Sequence, residues 1–307
     1  MSSTRRSPPT QRVVALLDHF VTRQGGRYGL SELSREVGIS KPTCLGILST
    51  LVESGYLVRD PASKTYALGP RWISLGRLAQ QNFAAADVAA ALLAELSARY
   101  AAPCTASAVV GDEIVVLAST PAPGRSPAAR VGQRYPFAPP VGLMYVLWDT
   151  DEAVERWLAK PPTLPVRLDR PHLRAVAAEC RDRGYLVEGL TEAGRRLHWL
   201  MAGVAAYDLP REVRDLVGEM VSSLGERVYL GADLSPRRRH PVSVLAAPTF
   251  TAQGNQELVV TLYVGDAITG AEIARRGAAL VEVATAITAA VGGRRPDRRS
   301  AEEMGSA

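Results

Sequence analysis

Few side chains in this sequence could carry catalysis, and their spacing does not suit it. His19, His172, His198 and His240 have no HxxxH or HxH partner, and Cys44, Cys104 and Cys180 form no CxxC pair. Neither set offers a metal site or a nucleophile–base couple at a readable spacing, so each histidine reads as a surface or packing residue. Glu95, Glu179, Glu188 and Asp233 could be gathered by folding. No GxSxG, HExxH, phosphate-loop or post-strand GxGxxG pattern accompanies them. An enzyme with an N-terminal helical appendage would therefore lack a named nucleophile, acid or base, and no cofactor or metal is expected. An odd number of unpaired cysteines points to a reducing compartment.

The informative chemistry is electrostatic. Residues 1–70 hold nine basic side chains against five acidic ones, a net +4, and residues 293–307 add +1, which leaves the middle of the chain neutral. A polyanion partner, if there is one, meets the N-terminal part, because neutralising phosphates supplies most non-specific affinity for nucleic acid. The side chains placed to do so are Lys41, Arg59 and Lys64, with the hydroxyls of Ser31, Ser40, Thr43 and Thr50 as shorter-range partners.

Those residues need elements to hold them. Val13, Leu16, Leu17 and Phe20 fall at i, i+3, i+4, i+7, one apolar stripe on a first helix. Ser31 is placed as the N-cap of a second helix with Leu33 and Val37 inward, stopped by Gly38. Ser40 caps a third, with Pro42 in its first turn. Leu45, Leu48, Leu51 and Val52 are expected inward, and Lys41, Thr43, Cys44, Gly46, Ile47 and Thr50 on the other surfaces. "YLVRDPASKTYALG" then reads as two strands around a turn. Three helices and a charged hairpin make a winged helix-turn-helix, whose third helix can enter a major groove while the hairpin lies along phosphates. A helical domain mediating protein contacts is the plainer alternative.

Residues 29–76, "GLSELSREVGISKPTCLGILSTLVESGYLVRDPASKTYALGPRWISLG", closely resemble the IclR family of bacterial transcriptional regulators. Two positions depart from the family pattern. Pro42 stands where a small polar residue is usual, and Gly46, preceded by Leu45, stands where a basic residue is common. Gly46 has no side chain for a bidentate guanine contact. The resemblance implies a linker helix, here "GPRWISLGRLAQQ". In it Trp72, Leu75 and Ala79 form a stripe read as a dimer surface, with packing on its own chain as the alternative.

The rest of the chain reads as a second domain. A helix over "DVAAALLAELSARYAA" precedes two strands joined at Gly111–Asp112 and a strand in "AARVGQRYPF". Helices follow in "VGLMYVLW" and "DEAVERWLAK", then a helix and strand in "LDRPHLRAVAAECRDRGYLVEG". A hairpin turning at Gly254–Asn255 and a long final helix close the chain. This order is α+β with an antiparallel sheet. It resembles the family's GAF-like effector-binding domain, supported by "RGYLVE" at 183–188 and "AAPTF" at 246–250. The resemblance places an effector among Phe137, Val141, Met144, Glu188, Val244 and Ala246. Ala138, Pro139 and Pro140 stand where polar donors are usual, so the expected ligand is apolar or aromatic, because a buried anion without donors is costly. The alternative is a pocket filled by side chains.

The expected organisation is a disordered tail 1–10 and a winged domain 11–70. A linker and dimerisation helix 71–86 and a GAF-like domain 87–292 follow, and a tail 293–307 ends the chain. Residues 190–240 form a helical insertion, with Val213, Leu216, Val217, Met220 and Leu224 as its stripe. The first ten residues lack an apolar segment and read as a tail rather than a signal, and no run approaches the ~20 apolar residues that span a bilayer. The expected protein is cytoplasmic and regulates transcription as a homodimer or dimer of dimers. It binds double-stranded operator DNA under control of a small effector. The alternative is a DNA-binding scaffold whose second domain binds a protein partner or nothing.

Overall fold

The computed structural model describes residues 7–22, 26–81, 84–124, 127–163, 169–189 and 228–296. The chain divides into two compact units, Met1–Asn82 and Phe83–Ala307.

In the first unit α1 (Pro8–Thr22), α2 (Leu30–Val37) and α3 (Lys41–Glu53) enclose one core of Leu16, Phe20, Leu33, Cys44, Leu48, Leu51, Leu57 and Tyr66. Helix α1 starts at Pro8, inside the stretch expected to be tail. Proline suits a first turn, and the Gln11 N–H reaches the Ser7 carbonyl at 3.0 Å. Ser31 is not a cap. Helix α2 begins two residues earlier than that cap implies, with Gly29 in the cap position and no side-chain cap bond, which leaves Ser31 exposed in the first turn. Gly38 stops the helix at φ +68°, as expected of a residue without a Cβ.

Strands β2 (Leu57–Arg59) and β3 (Thr65–Leu68) form the hairpin, and β1 (Tyr28–Gly29) adds a third strand, giving the order β1-β3-β2. Helix α4 (Arg71–Gln81) follows. Gly69 at its start is dictated by contact, since a Cβ there would lie 2.3 Å from the Gly55 carbonyl oxygen.

The second unit is a six-stranded antiparallel sheet, in the order β6-β5-β4-β9-β8-β7. Its strands are β4 (Cys104–Val110), β5 (Glu113–Thr120), β6 (Arg134–Pro136), β7 (Leu186–Gly189), β8 (Arg239–Phe250) and β9 (Gln256–Thr269). Helices α5 (Ala84–Tyr100) and α8 (Gly270–Ala290) cover one face over a core that includes Leu93, Leu96, Cys104, Ala106, Leu245, Leu262, Ile273 and Leu280. Both hairpins turn where the glycines stand, at Gly111 (φ +63°) and Gly254 (φ +82°). The other face carries α7 (Arg170–Arg183), with Trp148, Val176, Cys180, Leu186 and Ala246 in one cluster, and α6 (Asp151–Leu158) packs beside α7 through Val154, Trp157 and Leu173.

Residues 141–148 are not a helix. A single 3₁₀ turn, Leu143–Tyr145, follows Gly142, whose φ of +108° lies outside the helical region and interrupts any α-helix across 141–148. The expected strand in 128–137 shortens to Arg134–Pro136. Residues 293–296, expected to be tail, are held back on the domain, with the Arg294 N–H on the Thr251 carbonyl at 3.1 Å. Most of the expected insertion, including its apolar stripe, lies outside the described residues. Residues 228–240 supply a bridge from Val228 to Glu188, a short turn and the start of β8. No helix among the described residues is long and apolar enough to cross a membrane.

Candidate functional site

Helix α3 is held by its cap and its buried side. The Ser40 hydroxyl accepts the Thr43 N–H at 3.4 Å and shares a 2.8 Å hydrogen bond with the Thr43 hydroxyl. Cys44, Leu48 and Leu51 enter the core, whereas Leu45 is 45% exposed. The helix is thus turned from the expected phase, with Cys44 inward and Leu45 outward. A thiol is a small apolar group and packs in one buried cluster with Phe20 and Leu33. The outward face carries Pro42, Leu45, Gly46, Ser49 and Thr50, with Lys41 exposed in the first turn. Thr50 is less free than its exposure suggests, because its hydroxyl donates to the Gly46 carbonyl at 3.1 Å.

The hairpin turn is built by Asp60, whose Oδ1 accepts the N–H groups of Ala62 at 2.8 Å and Ser63 at 3.2 Å. Those backbone donors, Ser63 first, hold the carboxyl below its ordinary range, and Arg27 lies 3.6 Å away. Lys64 closes the turn at φ +56° and is exposed. Arg59 is also exposed, with its guanidinium carbon 5.9 Å from the Tyr66 ring centroid. Lys41 on the helix and Arg59 and Lys64 on the hairpin therefore present cations to solvent on two neighbouring elements of one small domain.

Trp72 does not form a free dimer stripe with Leu75 and Ala79. Its indole N–H donates to the Tyr56 carbonyl at 2.8 Å, and its ring meets Tyr56 edge-on at 5.1 Å, so it ties α4 to the winged domain. Leu75, Leu78 and Ala79 stay exposed.

In the second unit the expected effector residues are mostly committed to packing. Ala246 and Val244 are buried in β8, and Met144 lies against the cluster around Trp148 while its carbonyl accepts the Gln256 amide at 2.9 Å. Phe137 sits 6.5 Å from the Trp157 ring with Lys160 over its face, and Val141 closes a bridge with Ala138. Only Glu188, half-buried on β7, joins a different group.

That group lies on the sheet face opposite α5 and α8. Cys104, Ala106 and Ala108 point toward the helices, so Thr105 and Ser107 point away. Tyr145 donates to the Ser107 hydroxyl at 2.8 Å, Tyr263 hydrogen-bonds Thr105, and the Tyr135 hydroxyl is buried without a partner. Burial pushes all three phenols above their ordinary value, so they remain neutral hydrogen-bonding groups. The groups acting electrostatically on them are one another, Cys104 and the Glu188 carboxylate. Among the described residues no three His, Cys, Asp or Glu side chains gather as metal ligands. A cleft of about 140 Å³ lined by Gly184, Phe250, Val281, Thr285, Arg294 and Arg295 lies away from this cluster. It falls short of the roughly 300 Å³ of a ligand pocket.

Residues 9–61 match the model of the IclR helix-turn-helix domain. Over 184 residues the chain is 24% identical to the HTH-type transcriptional regulator XynR of Escherichia coli strain K12, spanning 58% of this chain and 73% of that protein. The chain carries an IclR-type helix-turn-helix domain and is similar to an IclR-type transcriptional regulator well beyond it. The crystal structure of an IclR regulator from Alicyclobacillus acidocaldarius has the same fold, with a TM-score of 0.61 at 21% identity, covering 94% of this chain and all of that one. An IclR homologue from Microbacterium hydrocarbonoxydans complexed with 4-hydroxybenzoate gives 0.61 at 18% identity, covering 92% of this chain and 98% of that one.

As an IclR-type protein this chain binds DNA through its winged domain and is a regulator rather than an enzyme. The hydroxyl cluster was hidden from sequence reasoning, since Thr105, Ser107, Tyr135, Tyr145 and Tyr263 are scattered over four segments. The one local signal is alternation in "CTASAVV", which places two hydroxyls on the face away from the helices.

Proposed function

We propose that this IclR-type regulator binds its operator through Lys41 at the start of α3 and through Arg59 and Lys64 on the hairpin. In this reading the hydroxyls of Ser40, Thr43 and Thr50 serve mainly to hold α3, and Ser31 offers a phosphate contact from α2. The exposure of all three cations on adjoining elements supports this assignment. Two chains join through the exposed Leu75, Leu78 and Ala79 of α4, as a dimer or dimer of dimers, and the protein works in the cytoplasm where its DNA lies.

Operator binding is modulated by a small aromatic effector carrying a neutral polar group. The observation behind this reading is the buried set of Tyr135, Tyr145 and Tyr263 with Ser107 and Thr105, in which the Tyr135 hydroxyl has no partner. A buried polar atom left unpaired costs about 1–3 kcal/mol, which a ligand hydroxyl placed there recovers. Glu188 beside Tyr263 disfavours an anion at this end of the site. Of the residues named from sequence, Glu188 lines the site, and Phe137, Val141, Met144, Val244 and Ala246 form its packed surround. The 4-hydroxybenzoate held by the Microbacterium relative shares the aromatic phenol of this class but also carries a carboxylate, which the class proposed for this chain lacks.

The packing of Phe137, Met144 and Val244 favours the second reading, a domain that binds a protein or nothing. Thermal melting of the full chain with matched phenols, benzyl alcohols and benzoates separates the two. The effector reading expects neutral phenols at about 100 times Kd to add about 2.7 kcal/mol, or several degrees. Benzoates should do less, and the Tyr135→Phe variant should lose the response. No shift with any member of the panel would favour the second reading.

A further inference from the structure

The outward face of α3 is chemically bare for a DNA-reading surface, and it is bare where the protein's own packing does not require it. Gly46 lies in the middle of the helix with no positive φ, and a Cβ built on it would meet no atom within 4 Å. Glycine in a helix interior weakens the helix through backbone entropy. No contact among the described residues repays that cost, and the reason for it is sought in what approaches from outside. One residue away, Leu45 is 45% exposed, although Cys44, Leu48 and Leu51 beside it are buried. The polar hydroxyls nearby are engaged within the helix, Thr43 with Ser40 and Thr50 with the Gly46 carbonyl. What remains toward a groove is Pro42, Leu45, Gly46 and Ser49, with no long hydrogen-bonding side chain among them.

We propose that Gly46 lets the α3 backbone lie close against base edges in the major groove, and that Leu45 reads a thymine there by contact with its C5 methyl group. In the major groove that methyl is the apolar mark distinguishing thymine, and an aliphatic side chain is the chemistry that recognises it. Lys41 fixes the helix on the phosphates beside this contact. The operator half-site therefore carries at least one thymine read without hydrogen bonds, and guanine is not selected at the position facing Gly46.

The test starts with full-length protein and a random duplex library, enriched for bound sequences at fixed salt. Each thymine of the enriched site is then replaced in turn by deoxyuridine, which removes the methyl and keeps base pairing. At one position per half-site wild-type affinity should fall about four-fold, the worth of one buried methyl group. The Leu45→Ala variant should bind thymine and uracil duplexes equally, with its melting temperature unchanged because the side chain is exposed. Gly46→Ala should melt higher than wild type yet bind the enriched site at least several-fold more weakly. Indifference to uracil at every position, an equal loss by Leu45→Ala on both duplexes, unchanged affinity of Gly46→Ala, or failure to enrich any sequence would overturn the proposal.

Discussion

Glu257 shows how single side chains in this molecule carry tension between burial and charge. It stands on β9, half-buried, with Oε2 shielded from solvent and unpartnered, and burial raises its pKa above the ordinary value of 4.5. A carboxyl with a raised folded-state pKa holds its proton longer in the folded chain than in the unfolded one. Its contribution to stability is therefore lost as pH rises from about 4.5 through the raised value, and the ionised group opposes folding above that. The expected outcome is that Glu257→Gln melts at a higher temperature than wild type at neutral pH. The gap should close as pH is lowered toward 4.5. Melting curves across that range check it, and a variant less stable at pH 7 would contradict it. The cysteines are quieter, since burial pushes the Cys104 thiol up to about 12 and Cys180 to about 11, which keeps both protonated and unreactive at neutral pH.

The decisive feature among the elements is the rotation of α3 about its axis. Cys44–Leu48–Leu51 and Leu45–Leu48–Val52 both satisfy helical spacing, so periodicity alone cannot choose between them. Contact with Phe20 and Leu33, remote in sequence, makes the choice. Two substitutions separate the phases. Cys44→Ser places a hydroxyl at a fully buried position and should cost about 1–3 kcal/mol, whereas Leu45→Ser, at the surface, should stay within about 0.5 kcal/mol. Urea denaturation of both variants reads the difference, and the reverse order would mean the other phase. The same logic governs what the sequence could reveal elsewhere. Helices with strong stripes, the hairpin turns at Gly111 and Gly254, and the antiparallel class were legible because they rest on local chemistry. The indole bond from Trp72 to Tyr56, the collapse of 141–148 to one turn and the gathering of three tyrosines depend on tertiary contacts that no spacing encodes. The effector residues inferred by resemblance raise a related point. A position shared with a family fixes a place on a strand, but the packing of this chain's own Phe137, Met144 and Ala246 decides whether that place is open.

For the whole molecule, the winged domain and α4 behave as one reading head, because Trp72 and the Gly69 and Arg71 amides bond back to Tyr56 and Gly55. A signal arriving at α4 would then move α3 with it, which is the physical requirement for an effector in the second unit to alter DNA affinity. All of this presupposes that Lys41 and the hairpin cations meet phosphates. The most direct test is the salt dependence of full-length protein binding to an enriched duplex, comparing wild type with Lys41→Ala and Lys64→Asn. Asparagine tolerates the left-handed conformation that Lys64 adopts at φ +56°, so the second variant removes charge without disturbing the turn. Log affinity should fall steeply with log salt for wild type, and each variant should flatten the slope by about 0.9 for each chain on the duplex, about 1.8 for a dimer, as expected when each chain neutralises one fewer phosphate. Slopes equal to wild type in both variants, or wild-type binding that does not respond to salt, would contradict the account.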